Sequence, residues 1–319
     1  MKNLVSVILC LCILFALIIG SGGILQSDGV NKGVDSICSF HSLPKETVEV
    51  VVLGSSRAHN GVDVMELYER YGIAAYNYAN SWQRINTTAL FLSDALRTQR
   101  LKVVLIETGS INAVLSNVEM EGEIAYTRAL PWTKEKISYL KRCFGAEPGR
   151  YLSYIFPLFC YHENWSDLRK ENFTFDKNAH NDLEHMGYAE LGTGEQIVIA
   201  NDGKTSQLPL TEEAKAVLDG MTACCREYGA DILFFTTPDA YGFPYRDAVE
   251  EYAAENGCGY LNFYEVADKI GMDGAADYFD SVHLSKSGAG KLGAYLGEYL
   301  SERYAFKDMR TVEGNPWAR

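Results

Sequence analysis

The sequence predicts an α/β protein: a doubly wound, three-layer α/β/α sandwich around a central parallel five-stranded sheet, preceded by an N-terminal transmembrane helix. Three observations lead there. Five short apolar runs alternate with segments of helical spacing, and three of the runs close on glycine or proline. Most of these runs are continuously apolar, as in strands covered on both faces, rather than alternating. Finally, the first 25 residues carry one basic group, Lys2, ahead of an uncharged apolar stretch from Leu4 to about Leu25.

At about 1.5 Å per residue, a helix over that stretch reaches roughly 30 Å, the thickness of a bilayer's hydrocarbon. Lys2 on its N-terminal side favours an N-in orientation. No clean A-x-A cleavage site follows, so an uncleaved anchor is expected over a removed signal segment. The remainder is expected to face outside the cytoplasm as the exposed part of a single-pass cell-membrane protein. Residues 26–46, with Gly29, Gly33 and Pro44 and no periodicity, read as a polar stalk. The globular domain then runs over 47–319.

The first strand is VEVVVLG, residues 48–54. A helix over 62–72 stops at Gly72, and a second strand covers 73–79. A helix over 85–99 leads into LKVVLIETG, 101–109, the third strand. From about 110 to 200 the rhythm breaks, and this aromatic-rich stretch reads as an irregular insertion. It resumes with a helix over 211–229, for which Thr211 suits the N-cap and Gly229 the C-cap. A fourth strand covers 230–238, a helix 246–257, a fifth strand 260–263 and a last helix 286–304. Strands alternating with helices make a parallel sheet, whose functional crevice lies at the carboxyl ends of its strands.

A net charge of −13 with no basic run excludes nucleic acid as a partner. Eight cysteines include Cys10 and Cys12 inside the apolar segment, and the other six lack CxxC spacing, so no zinc site is expected. The group His180, Asp182, Glu184 and His185 matches no established metal spacing and reads as a solvated loop. Neither a metal nor a cofactor is expected.

Chemistry concentrates at two places. VVLGSSRAHN, residues 51–60, ends a buried strand by setting Ser55 and Ser56 beside Gly54. DYFDSVHLSKS, residues 277–287, puts Asp280 and His283 three apart on one short segment. A serine nucleophile needs a base, and the base needs an orienting carboxylate, which these two stretches supply. An α/β-hydrolase would require G-x-S-x-G, and the second glycine is absent. Asn80, just past the second strand, is a candidate oxyanion donor beside a backbone N–H. Arg57, Trp82, His162 and Trp165 are candidate contacts for an anionic, acyl or sugar group.

GSS after the first strand, with D-x-x-H-L before the last helix, resembles the SGNH/GDSL hydrolase superfamily. The resemblance implies a flavodoxin-like sheet and places Ser56, rather than Ser55, as nucleophile, with His283 as base and Asp280 as its orienter. Ala79–Asn80–Ser81 stands where that family has a glycine, and Gly109–Ser–Ile–Asn112 is one residue longer than its G-x-N-D block, making Asn112 a second oxyanion candidate. The anchored layout, GSSR and the YHENWSDL stretch at 161–168 are similar to a bacterial membrane-anchored subgroup that includes the teichoic-acid D-alanyl transfer protein and alginate O-acetylation proteins. The function implied is O-acyl transfer, of acetyl above all, to a cell-surface or exported polysaccharide, with a membrane-bound O-acyltransferase as partner. A carbohydrate esterase and a catalytically silent glycan-binding partner are the alternatives.

Overall fold

The computed structural model describes residues 2–25, 28–114, 123, 126–168, 170–173 and 183–318. The chain opens with two helices, α1 (Lys2–Leu25) and α2 (Asp28–Ser42). The strands are β1 (Val50–Leu53), β2 (Ala75–Asn77), β3 (Val103–Glu107), β4 (Asp231–Thr236) and β5 (Gly259–Asn262). The other helices are α3 (Ser56–His59), α4 (Val64–Tyr71), α5 (Ile85–Thr98), α6 (Lys134–Phe144), α7 (Pro148–Ile155), α8 (Leu158–Tyr161), α9 (Glu212–Tyr228), α10 (Arg246–Glu255), α11 (Phe263–Val266) and α12 (Lys286–Ser301).

The five strands pair in parallel in the order β2-β1-β3-β4-β5, with Val50 opposite both Ala75 and Val103. From β1 the chain steps to β2 on one side and then returns past β1 to β3 on the other. Right-handed crossovers therefore put α4 and α5 on opposite faces of the sheet. α9 and α10 continue in the direction of α5 and share its layer; the Tyr252 hydroxyl of α10 donates to Asp219 of α9 at 3.0 Å. α12 packs on α4 and completes the second layer. Covered on both faces, Val50, Val51, Val52 and Leu53 are fully buried, which is why this run is uninterrupted by polar residues. The Thr211 side chain accepts from Ala214 N at the start of α9, and Gly229 ends that helix in a left-handed conformation.

Two expectations are corrected. The supposed polar stalk over 26–46 contains the helix α2, and Ile37, Phe40 and Leu43 within or just after it are buried. Its apolar residues are sparse but fall at 37, 40 and 43, one turn apart. The insertion expected to be irregular contains α6, α7 and α8. Aromatic and polar residues mask a helical pattern there, because these helices leave large apolar side chains exposed.

The chain divides into two compact units: a smaller one of Met1–Cys38 with Ser116–Asn181, and a larger one of Ser39–Leu115 with Asp182–Arg319. The sheet belongs to the larger unit. In the smaller, α1 is long and apolar enough to span a membrane, with a mean hydropathy of 2.9 over Leu4–Gly22 and no part of that window buried.

Candidate active site

β1 delivers the chain to Gly54, whose φ of 142° suits only glycine. A Cβ there would stand 2.9 Å from that of Glu107 and 3.1 Å from that of Ala58. The missing side chain lets the backbone turn against β3, and α3 begins at once. Ser55 occupies the N-cap but makes no side-chain cap; its hydroxyl donates to Glu107 Oε2 at 3.4 Å. Ser56 is the first helical residue, where a backbone N–H has no acceptor within the helix. Asn77 of β2 ties the turn down: fully buried, it donates to the carbonyls of Ala58 at 2.9 Å and Val62 at 3.0 Å.

The second half of the site is a closed loop ahead of α12. Tyr278 and Leu284 form an antiparallel bridge, and Phe279 N donates to His283 O at 2.9 Å. The loop is pinned to the end of β4, because the Tyr278 hydroxyl donates to Pro238 O at 3.1 Å and Ala240 N to Ser281 O at 3.0 Å. Asp280 Oδ1 accepts from the backbone N–H groups of Val282 and His283, each at 2.8 Å. Its Oδ2 lies 2.8 Å from His283 Nδ1, and His283 Nε2 lies 2.7 Å from Ser56 Oγ.

Chemistry assigns the protons. A carboxylate only accepts, so Nδ1–H donates to Asp280, and Nε2 of the neutral ring accepts from the Ser56 hydroxyl. Burial pushes the Asp280 carboxyl up, but hydrogen bonds from the His283 ring and two backbone N–H groups outweigh it and hold the group below its ordinary value. The charged form is therefore the resting one. The arrangement can pass a proton from the hydroxyl to the imidazole while Asp280 fixes the ring and stabilises its positive form. The imidazole remains partly open to solvent, with 23% of its side chain exposed.

The other candidates are placed unequally. Asn80 is buried, its N–H donates to Gly54 O at 3.3 Å, and its side-chain Nδ2 has no hydrogen-bond partner. A buried donor left unpaired costs stability and is seldom kept without use. Trp82, two residues on, is 71% exposed and sits at a φ of 63°, a left-handed strain on the order of 1 kcal/mol for a non-glycine residue. Asn112 is engaged elsewhere: its Oδ1 accepts from Thr211 N at 2.7 Å at the start of α9. Arg57 turns away from a free anion-binding role, its Nη1 lying 2.5 Å from Oδ2 of the fully buried Asp239. His162 and Trp165 belong to the smaller unit, on an exposed 3-10 turn over His162–Asp167. Of the group read as a solvated loop, His180 and Asp182 lie outside the described residues; among those described, no group of three ligating side chains occurs.

Sequence reasoning passed over the groups beneath the Ser56 turn. Glu107, at the end of β3, is fully buried and accepts from Gly109 N at 2.8 Å and the Thr237 hydroxyl at 3.1 Å. Burial raises its pKa, against the opposing pull of Arg57 and these donors. Asp239 accepts from the Tyr264 hydroxyl at 2.7 Å and from Tyr241 N and Gly242 N. The signal was present: a carboxylate closes each of the apolar stretches VVLIE and FFTTPD. A cleft of about 780 Å³ lined by Asp63, Arg70, Lys269, Lys286 and Glu298 contains none of the triad.

No known family model matches the chain, and no curated protein matches it. Among solved structures it is similar to a crystal structure from Bacteroides fragilis, provisionally described as an acylhydrolase. The two share 9% identity at a TM-score of 0.40, over 82% of this chain and 92% of that one. That likeness is too distant to assign an activity.

Proposed function

We propose that the protein is an extracytoplasmic serine-dependent acyl-transfer enzyme of the SGNH kind, transferring an O-acyl group, acetyl in the first instance, to a cell-surface or exported polysaccharide. One observation carries this: the unbroken chain of bonds from Asp280 through His283 to Ser56 at the carboxyl end of β1. Ser56 Oγ attacks the acyl carbonyl carbon of a donor ester while its proton passes to His283 Nε2. The donor's C–O bond breaks, and the departing oxygen takes that proton, leaving an acyl-serine. A sugar hydroxyl then gives its proton to Nε2 and attacks the acyl carbon. Ser56 Oγ leaves and recovers the proton. Asn80 Nδ2 and the Ser56 backbone N–H are the proposed donors to the oxyanion, and Trp82 the proposed stacking face for a sugar ring. α1 serves as the anchor. The acyl donor is supplied by a membrane-bound O-acyltransferase.

The second reading is an esterase, favoured by the partial exposure of His283, which lets water reach the acyl-serine. Full-length protein incubated with an acetyl ester and an acceptor oligosaccharide separates the readings. Acetylated oligosaccharide supports transfer, and free acetate alone supports hydrolysis. Turnover of neither, with Ser56 unmodified, supports a silent glycan-binding role and overturns both.

A further inference from the structure

The smaller unit buries Leu130, Leu140 and Phe144 but carries a second set of apolar side chains on the outside, and not only on α1. Leu152, Ile155, Phe159 and Phe173 are about half exposed, and Trp165 is 72% exposed. Residues 151–161, YLSYIFPLFCY, contain no charge. This surface is continuous with the membrane-spanning candidate. The Phe156 ring meets the Phe15 ring edge-on at 6.0 Å, and a Cβ on Gly22 would stand 2.7 Å from Leu158 N. The last carbonyls of α1 are capped from the same stretch: Asn172 Nδ2 donates to Ile24 O at 3.0 Å and Asn164 Nδ2 to Leu25 O at 3.3 Å.

Depth follows from helix geometry. Phe15 lies seven residues inside Gly22, the end of the apolar window, so at about 1.5 Å per residue its ring and that of Phe156 sit roughly 10 Å within the hydrocarbon. Backbone at that depth must have its polar groups satisfied by protein. The break between α7 and α8 meets the requirement. Pro157 has no N–H for the carbonyl of Ser153, and Arg128 supplies donors instead, from Nη2 to Ser153 O at 3.2 Å and from Nε to Tyr154 O at 3.0 Å. Arg128 Nη1 donates to the Tyr161 hydroxyl at 3.1 Å, so all three of its nitrogens are engaged at this helix break. Trp165, beside the capped end of α1, stands at the level where aromatic residues border headgroups.

We propose that the Leu152–Tyr161 stretch is embedded in one leaflet of the lipid bilayer beside the C-terminal half of α1, so that the protein holds the membrane by a span and a broken, half-inserted helix together. The inference rests on the reading of α1 as a membrane span.

Full-length protein in phosphatidylcholine–phosphatidylglycerol vesicles, doped with a phospholipid bearing a diazirine in its acyl chain, tests it. After irradiation and digestion, mass spectrometry is expected to find lipid adducts on peptides covering both 4–22 and 152–161. Phe159→Glu, and separately Leu152→Glu, should lower adduct yield in the second region at least tenfold and leave the first unchanged, because an acidic group is expelled from hydrocarbon. Adducts confined to 4–22 in the wild type overturn the proposal while the span stands, and assign the apolar surface to a protein partner. Adducts in neither region overturn the span and the proposal with it. Unchanged labelling of 152–161 in both variants also overturns the proposal.

Discussion

Glu107 and Phe159 depart in opposite directions from the usual partition of side chains. In the larger unit a carboxylate is 1% exposed; in the smaller a phenylalanine is 51% exposed. Each oddity is explained by what it faces. Glu107 lies beneath the turn that presents Ser56 and is held by three donors, so its burial fixes the backbone that carries the Ser56 hydroxyl. Phe159 lies with Leu152 and Ile155 on the outside of a unit that buries Leu130, Leu140 and Phe144 within itself, so its exposure reflects a surrounding medium that is not water. Buried polarity therefore supports the Ser56 turn in one unit, and exposed apolarity marks a boundary in the other.

The sharpest way to break the comparison is to remove the reacting groups. Ser56→Ala and His283→Ala should each lower kcat on a soluble ester by about 10⁴-fold or more, with Asp280→Asn in a similar range. Phe159→Glu should leave that turnover within about twofold, since it touches only the smaller unit. A large loss there would tie the two units together. Next in size is Arg57→Ala. It leaves Asp239 buried without its cation and should cost about 3 kcal/mol in denaturant unfolding. A cost below about 1 kcal/mol would make Arg57 an ordinary surface group.

Asn80→Ala should lower kcat about 10²-fold with KM little changed, because an oxyanion donor acts in the transition state. A change in KM alone would assign Asn80 to ground-state binding. A finer test uses pH. The folded pKa of Glu107 is raised above its ordinary 4.5, so the folded state binds the proton more tightly. Stability from this group is full below that value and falls as pH rises through the folded pKa. Asp280 runs the other way, its contribution persisting above 3.8 and fading as pH drops below it. Glu107→Gln should flatten the fall of melting temperature with rising pH; an unchanged profile would mean that Glu107 is ionised without cost. The smallest effect is Trp82→Ala, which should raise KM for the glycan by up to about tenfold and leave kcat on a small ester unchanged.

Legibility in the sequence followed the same division. The five strands and the helices of the larger unit were readable because each buries a stripe or run in one protein core, and periodicity reports that burial directly. The approach of Ser56, His283 and Asp280 was readable because a hydroxyl, an imidazole and a carboxylate fell at strand and helix ends. Asn77, Glu107 and Asp239 were not, since a lone polar residue in an apolar run does not reveal which turn it will hold. α2 was hidden by Gly29 and Gly33, which lower helix propensity, and α7 and α8 by apolar positions left exposed, such as Leu152, Ile155 and Phe159; α6 buries Tyr139, Leu140, Cys143 and Phe144 at helical spacing, but charged residues between them mask the pattern. Arg57 was misread because its neighbour Ser56 suggested a substrate, while its partner, Asp239, is distant in sequence.

The most direct measurement is reaction of the full-length protein with a fluorophosphonate, followed by peptide mass spectrometry. A nucleophile activated by His283 predicts a single adduct on Ser56, lost in Ser56→Ala and in His283→Ala. An adduct on Ser55 instead, or labelling of residues 51–60 that survives His283→Ala undiminished, would contradict it.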